Sequence, residues 1–402
     1  MAPVPKLKLI KPNMKILHTI EGLGAKFGGI ATCTYDLLNA MQNPIDSVRI
    51  LSPDLRDKND TNLGTDAKWA MTYSNDGIGP FNYSPNLKKI LYSTEYDIYH
   101  ANGMWQYIVH ETCKCARSKL KPYVLTPHGM LYPETMRRSY WKKWPLLKLW
   151  FNNDILRATC IHATCETEMI HLRELGYRGS IALIGNPVPV NAEITKIFED
   201  RANNNSLMQN AQTRKLGFLG RLHPRKNCEA LLKAVALRPD ANISVSILGS
   251  GDKNYARYLV DMSQYLGITN KVEFCGFVSG RTKYDKLAEL SALFVPSDME
   301  NFGMIVPEAL LVGTPVMASQ GTPWKSLNEH HCGWWTENSS ESIASVIDKI
   351  CATSPQELFE MGRRGREMVL ENFEANKVAK KMLNMYKWLL LGGVKPDFIY
   401  EN

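Results

Sequence analysis

The chain has no apolar run of about 18 residues, so no segment reads as a membrane-spanning helix. Its first thirteen residues, MAPVPKLKLIKPN, carry basic side chains but lack the apolar stretch that a secretory signal requires. Cysteine is present without a framework. Nine are scattered along the chain, an odd number, and Cys113 and Cys115 lie too close together for a zinc-type pair when no second pair accompanies them. All nine are expected to be reduced and mostly buried, which points to the cytoplasm. Zinc-finger spacings, an aromatic RNA-binding signature and a basic tail are all missing, which removes the usual routes to nucleic acid despite a net charge of +8. That charge suits phosphorylated ligands or an anionic membrane surface. What remains is ordinary for a globular protein: 402 residues, 44% hydrophobic and 22% charged, enough for two or three domains.

Strand and helix patterns alternate for most of the length. Strands are expected at 14–20, 48–51, 97–100, 123–126, 161–163 and 181–184, with helices at 30–41, 106–118 and 166–175. Residues 61–90 are polar and punctuated by Gly and Pro, without a clear period. Residues 185–213, GNPVPVN followed by RANNNSLMQNAQ, read as a linker with a polar surface segment. The rhythm then restarts, with strands at 216–219, 244–248, 272–274, 292–295 and 315–318 and helices at 229–237, 255–266, 283–290 and 306–311. The chain is helical from 342 to 391. This is the βαβ alternation of two parallel, doubly wound α/β domains, and ligands of such sheets bind beyond the carboxyl ends of the strands. The cleft between the two domains is the expected site.

The most informative stretch is ENFGMIVPE at 300–308. It spaces Glu300 and Glu308 eight positions apart, with Gly303 and Pro307 between them. Proline is tolerated in the first turn of a helix, so a helix is expected to start near Ile305 or Val306 and to end at Gly313 and Pro315. Glu300 then lies on the preceding loop and Glu308 in the first turn. The free N–H groups between them suit a phosphate. Two carboxylates bracketing a phosphate site fit a ligand with hydroxyl groups on both sides of a diphosphate, as in a nucleotide-sugar. An ordinary capped helix with a carboxylate near its positive end reads equally well from spacing alone.

Other loops after strands add to the pattern. In GLGAKFGGI at 22–30, Phe27 stands where a dinucleotide loop needs its third glycine, but Gly28 and Gly29 open the next helix and would let a ligand approach its N-terminus. GFLGRLHPRKN at 217–227 clusters Arg221, Arg225 and Lys226, which suit phosphate oxygens or simply form a solvated basic loop. LGSGD at 248–252 places Gly249 in a second glycine-bearing turn. In TPHGM at 126–130, His128 sits between Pro and Gly with its ring expected to face the cleft. Residues 134–151, ETMRRSYWKKWPLLKLWF, interleave Arg137, Arg138, Lys142, Lys143 and Lys148 with Trp141, Trp144, Trp150 and Phe151. That mixture suits an anionic membrane surface, or else tryptophans in the core beneath a solvated cationic face.

Taken together, FLGRLHPRKN, FCGFV and PSDMENFGMIVPEALLVGTPVMAS resemble the retaining glycosyltransferases of family 4, the glycosyltransferase 1 group, and the resemblance extends from Gly28 to the C-terminal helix. It implies a GT-B fold: two Rossmann-like doubly wound domains with the active site in the cleft between them. The acceptor domain would comprise 1–190 plus 385–402, and the donor domain 191–384. By this resemblance, Gly28, Gly29 and Gly249 would lie against the donor, and Arg221 and Lys226 would neutralise its diphosphate. Glu300 would hold hydroxyls of the transferred sugar, and the backbone at Asn301, Phe302, Gly303, Met304 and Ile305 would contact sugar and phosphate. Glu308 would bind the ribose, Phe277 would lie against the base, and His128 would stand at the reacting sugar. No cofactor or metal is implied, and no Asp-x-Asp motif is present. Arg221 and Lys226 would instead stabilise charge on the leaving diphosphate, in a front-face reaction that retains the anomeric configuration. The donor expected first is a UDP-sugar, with a GDP-sugar next.

The segments HANGMW and TPHGMLYP resemble bacterial members that build surface polysaccharides. They put Asn102, Trp105, Met130, Arg137 and Arg138 on the side of a glycan or lipid-linked glycan acceptor, with the protein peripheral on the inner face of the cell membrane. Two other readings stay open at this stage. One is a nucleotide-sugar epimerase or other enzyme on the same fold. The other is a non-catalytic nucleotide-sugar-binding protein.

Overall fold

A computed structural model describes residues 13–24, 27–42, 47–54, 67–74, 77–79, 81–138, 140–203 and 213–401. Residues 1–12, read above as basic and without a signal-like apolar stretch, and 204–212, read as part of a linker, lie outside that set. The chain divides into two compact units, 1–187 with 375–402, and 188–374.

The first unit is built on a sheet of β1 (Lys15–Ile20), β2 (Ser47–Asp54), β3 (Ala70–Ser74), β4 (Ile98–Asn102), β5 (Tyr123–Thr126), β6 (Cys160–Ala163) and β7 (Ser180–Leu183), all parallel in the order β7-β6-β5-β4-β1-β2-β3. Every residue of β4, β5 and β6 is buried, as expected of parallel strands covered on both faces. The 28–40 and 107–118 helices follow β1 and β4, so their N-termini sit at the carboxyl edge of the sheet.

The expected boundary at 385 moves to 375, and packing explains the shift. Val378, Ala379, Met382, Met385 and Tyr386 form one apolar stripe of the Ala375–Leu391 helix, and that stripe is core to the first unit alongside Ile16, Leu38 and Val124. A helix with one continuous buried face belongs entirely to the unit that buries it. Beyond it, β14 (Ile399–Tyr400) pairs antiparallel with β7.

The second unit holds β8 (Arg214–Leu219), β9 (Ile243–Leu248), β10 (Val272–Gly276), β11 (Ala292–Val295), β12 (Val316–Ser319) and β13 (Gly333–Thr336), all parallel in the order β10-β9-β8-β11-β12-β13. The order places β8 beside β11, so the loops at 220–227 and 296–304 emerge side by side.

Three sequence expectations are corrected. The 61–90 stretch contains β3 and the Pro85–Ser93 helix, opened by Ser84, whose hydroxyl accepts from Leu87 N at 3.1 Å. The Ser-Pro signal for a helix start was present but lay in a polar context. The supposed linker contains the Ala192–Asn203 helix, which buries Ile194, Ile197 and Arg201 on one face. Its core contact is partly a guanidinium: Arg201 donates to the Leu290 carbonyl at 2.8 Å, a bond that apolar periodicity does not reveal. The third is β13, whose half-exposed Trp334 and Trp335 gave no clear strand pattern. All nine cysteines are free, and all but Cys275 and Cys351 are buried.

Candidate functional site

In the second unit the sheet's carboxyl edge is shaped by close backbone approaches. Gly249 has φ +148°, and a Cβ there would stand 1.8 Å from the Gly220 carbonyl oxygen, so only glycine lets the two loops touch. Leu222 N donates to Ser250 O at 3.0 Å and completes the junction. The loop then tightens into a 3₁₀ turn over Pro224–Lys226, capped by His223, whose Nδ1 accepts from Arg225 N at 3.1 Å. Asn227 in the left-handed region turns the chain into the Cys228–Ala236 helix.

This turn delivers Lys226 to Glu300. The Lys226 ammonium is paired with Glu300 Oε1, and the Ser297 hydroxyl donates to the same oxygen at 2.9 Å. Among the described residues, Oε2 of Glu300 has no hydrogen-bond partner. The loop carrying Glu300 is held from below. Glu300 N donates to Gly321 O at 2.8 Å, Asp298 N donates to Arg225 O at 2.9 Å, and the Asn338 amide donates to Asp298 Oδ1 at 2.8 Å. Burial raises the Asp298 carboxyl above its usual range, with Glu229 adding to the effect. Gly321 allows this packing, since a Cβ there would lie 2.1 Å from Asp298 O.

Gly303 has φ +77°, and the chain turns there into the Ile305–Leu311 helix. Phe302 points inward against Trp324 and Phe373, with ring centroids at 5.2 Å and 5.4 Å, so only its backbone faces the loop. The Trp324 indole N–H donates to its carbonyl. Met304 and Ile305 are half-buried at the helix start, where the N–H groups have no partner within the helix. Glu308 accepts an ion pair from Lys283 at 2.8 Å, a residue that sequence reasoning missed because it lies 25 positions upstream on the Gly280–Ala288 helix. Arg221 is exposed, and Phe277, beyond β10, is 73% exposed.

In the first unit Gly28 has φ +64°, with open space where a Cβ would stand, and Gly29 is exposed beside it. The His128 backbone is left-handed, φ 52°, Gly129 follows at φ 73°, and the residue is buried. Its Nε2 has no partner among the described residues. Glu168, fully buried, secures this turn by accepting from Gly129 N at 2.5 Å while its other oxygen accepts from Thr164 N at 2.8 Å.

Behind His128 runs a buried network that sequence reasoning did not anticipate. From Ile184 O it passes through His162 (2.7 Å), Thr126 (2.9 Å), His100 (2.6 Å), the Tyr386 hydroxyl (2.5 Å) and His18 (2.9 Å). Asn102, expected on the acceptor side, is drawn into it: its amide lies 3.3 Å from His18 Nδ1 and donates to Thr19 O at 3.2 Å. Burial holds all four imidazoles neutral. His18 and His128 are lowered to about 3 and His162 to about 4, while His100 lies well below its usual value. The sequence signal was a histidine within three apolar strands.

Trp105 has φ 69° and packs on Phe151, with Lys143 over its ring at 5.6 Å. Met130 is half-buried and faces Gly103, 3.8 Å from where a Cβ would stand. Arg137 and Arg138 are exposed at the end of the Pro133–Arg137 helix. Of the neighbouring tryptophans, Trp141 is 87% exposed, and Trp144 and Trp150 also reach solvent, so they are not core. The helix carrying them changes to a π turn at Leu147–Phe151, immediately after Pro145. Among the described residues no group of three or more His, Cys, Asp or Glu is arranged to hold a metal ion, and no helix is long and apolar enough to cross a membrane.

Comparison with known proteins gives this geometry a context. Residues 192–368 match the family model for glycosyl transferases group 1, and 27–192 match that for Glycosyltransferase Family 4. An uncharacterized glycosyltransferase of Methanocaldococcus jannaschii is 30% identical over 42% of this chain and 44% of its own length. A D-inositol 3-phosphate glycosyltransferase of Mycolicibacterium vanbaalenii is 32% identical over 34% of each chain. The chain thus spans less than half the length of these curated relatives. Among solved structures, Anabaena HepE in complex with UDP and glucose superposes with a TM-score of 0.70 at 20% identity, over 92% of this chain and 99% of that one. Sucrose-phosphate synthase from Thermosynechococcus elongatus superposes at 0.71 and 20% identity, over 94% and 100%. These likenesses establish the GT-B fold. With the two family models together spanning 27–368, the chain belongs to glycosyltransferase family 4.

Proposed function

We propose that the protein transfers a hexose from a nucleotide-sugar to a glycan acceptor, with retention of configuration and without a metal. The observation that carries this reading is the convergence of Lys226, Ser297 and Glu300 between β8 and β11, with Glu308 at the start of the next helix. A diphosphate arriving at Lys226 shares its ammonium with Glu300, whose carboxylate then accepts from sugar hydroxyls. Arg221 adds a second cation for the leaving group. Lys283 holds Glu308 in place to accept from ribose hydroxyls. The bound UDP and glucose in the HepE structure support a UDP-sugar as first candidate, and a GDP-sugar follows.

A panel of UDP-, GDP-, ADP- and dTDP-sugars tests this by thermal stabilisation. At a hundredfold excess over Kd, one donor class should add about 2.7 kcal/mol, raising Tm by roughly 5–10 °C, unchanged by EDTA. No shift with any donor, or a shift that EDTA abolishes, refutes the assignment.

We further propose that the acceptor is lipid-linked, in bacterial surface polysaccharide assembly, and that the 133–151 segment meets an anionic membrane. Exposed Trp141 and Trp144 beside exposed Arg137 and Arg138 support this. Arg137→Glu/Arg138→Glu should release the protein from phosphatidylglycerol vesicles in a flotation assay, since each basic residue near the surface contributes about 1 kcal/mol. Undiminished flotation would move the membrane face elsewhere.

A further inference from the structure

A groove of about 480 Å³ opens in the first unit, between the Tyr107–Ser118 helix and the Asn152–Leu156 helix with the π turn before it. Its size is that of a small-molecule site. Its cations are of two kinds. Arg117 is already committed: one Nη meets the fully buried Asp154 at 2.6 Å and the other donates to the Tyr123 hydroxyl at 3.1 Å. Asp154 also fixes His110 through Nδ1 at 2.7 Å. Lys114 and Arg157, by contrast, are exposed and have no ion pair among the described residues. Between them they leave two positive charges facing the groove, with the Asn153 amide as a neutral donor; the Ser118 hydroxyl there already donates to Cys115 O at 2.8 Å.

One wall is apolar. Trp150 is stacked on Phe81 with ring centroids 4.8 Å apart and remains 38% exposed, and Leu149 beside it is 72% exposed. The topology separates this groove from the loops described above. The 107–118 helix runs back from the carboxyl end of β4, so Arg117 and Ser118 lie near the start of β5. Arg157 likewise precedes β6. The groove is therefore at the amino edge of the sheet, whereas His128 follows the carboxyl end of β5.

We propose that this groove is a binding site for a phosphate monoester carried on an apolar or aromatic body. Two unpaired cations match the two charges of a monoester, the Asn153 amide serves a remaining oxygen, and Trp150 takes the body. The same chemistry is offered by a phosphorylated metabolite and by a phosphatidic acid headgroup.

Phenyl phosphate is the probe, followed by calorimetry and by Trp fluorescence. The wild-type protein should bind it saturably. Lys114→Glu/Arg157→Glu should bind about tenfold or more weakly, because two charge-assisted contacts are reversed. Trp150→Ala should lower the affinity for phenyl phosphate to that for inorganic phosphate. Lys377→Glu/Lys380→Glu, exposed on the 375–391 helix, keeps the same net charge change and should bind as the wild type does. Retention of the wild type, but not the groove variant, on phosphatidic acid vesicles over phosphatidylglycerol vesicles of equal charge assigns the lipid source. Phenyl phosphate binding without that vesicle preference assigns a soluble ester. Absence of saturable binding, or equal binding by the wild type and a folded groove variant, overturns the proposal. Neither result depends on whether the protein transfers sugar.

Discussion

Lys226→Ala is expected to lower kcat by about 10² to 10³ while the donor KM changes far less. The ammonium touches Glu300 and stands on a 3₁₀ turn whose cap and left-handed exit leave it little freedom. Such a cation is most useful where charge develops, on the departing diphosphate, and less so in the ground state, where the charge is already spread over several oxygens. Lys226→Arg keeps the charge but changes its geometry, and should recover only part of the rate. Glu300→Gln separates the two partners: it removes the carboxylate while Lys226 remains, and should weaken hold on the sugar more than on the nucleotide. Steady-state kinetics with the donor class that stabilises the protein measures all three. Near-normal kcat in Lys226→Ala, with the fold intact by circular dichroism, removes Lys226 from the catalytic role.

The second large effect is acid sensitivity of the first unit. His18, His100, His128 and His162 have folded pKa values depressed far below the unfolded value of about 6.5. Below that value the unfolded chain binds protons that the folded chain refuses, so stability rises with pH and falls as pH drops from about 6.5 toward 4. Four such groups give a slope approaching 5 kcal/mol per pH unit. Glu168 opposes it: its folded pKa is raised by burial, so the folded state keeps that proton longer and returns up to about 1.4 kcal/mol per unit within its own window. Hydrogen exchange read by mass spectrometry on peptides from β1, β4, β5 and β6, between pH 7.5 and 4.5 and corrected for intrinsic rates, should show protection collapsing there. Replacing His162, which bonds a backbone carbonyl and Thr126, with Gln should reduce the slope by about one proton. A flat profile would mean that the cluster takes up protons without unfolding.

Residues 292–311 show how far local pattern reaches. The apolar run of β11, the Gly303 turn, the early Pro307 and the following Gly313 specify strand, loop and helix without any distant contact. The carboxylates were therefore correctly set on a loop and in a first turn. Phe302 shows where pattern stops. Its backbone lies in the loop as expected, while its side chain is claimed by Trp324 and Phe373, both from later elements. Lys283 escaped notice because a lysine on an amphipathic helix has no local mark that distinguishes a carboxylate partner from solvent.

The sequence by itself determined the alternation of strands and helices, the division into two α/β halves and the loops that carry Glu300, Glu308 and Lys226. Those depend on hydrophobic period and on Gly and Pro, which act within a few residues. Only the tertiary structure decided which distant loops meet. Lys226 reaches Glu300, 74 positions away, because β8 lies beside β11. His18 stacks on His100 because β1 lies beside β4, and Tyr386 joins them because the 375–391 helix returns to the first unit. Strand order and chain return are settled by crossovers that bury whole faces, so the neighbours of a polar side chain follow from packing far along the chain.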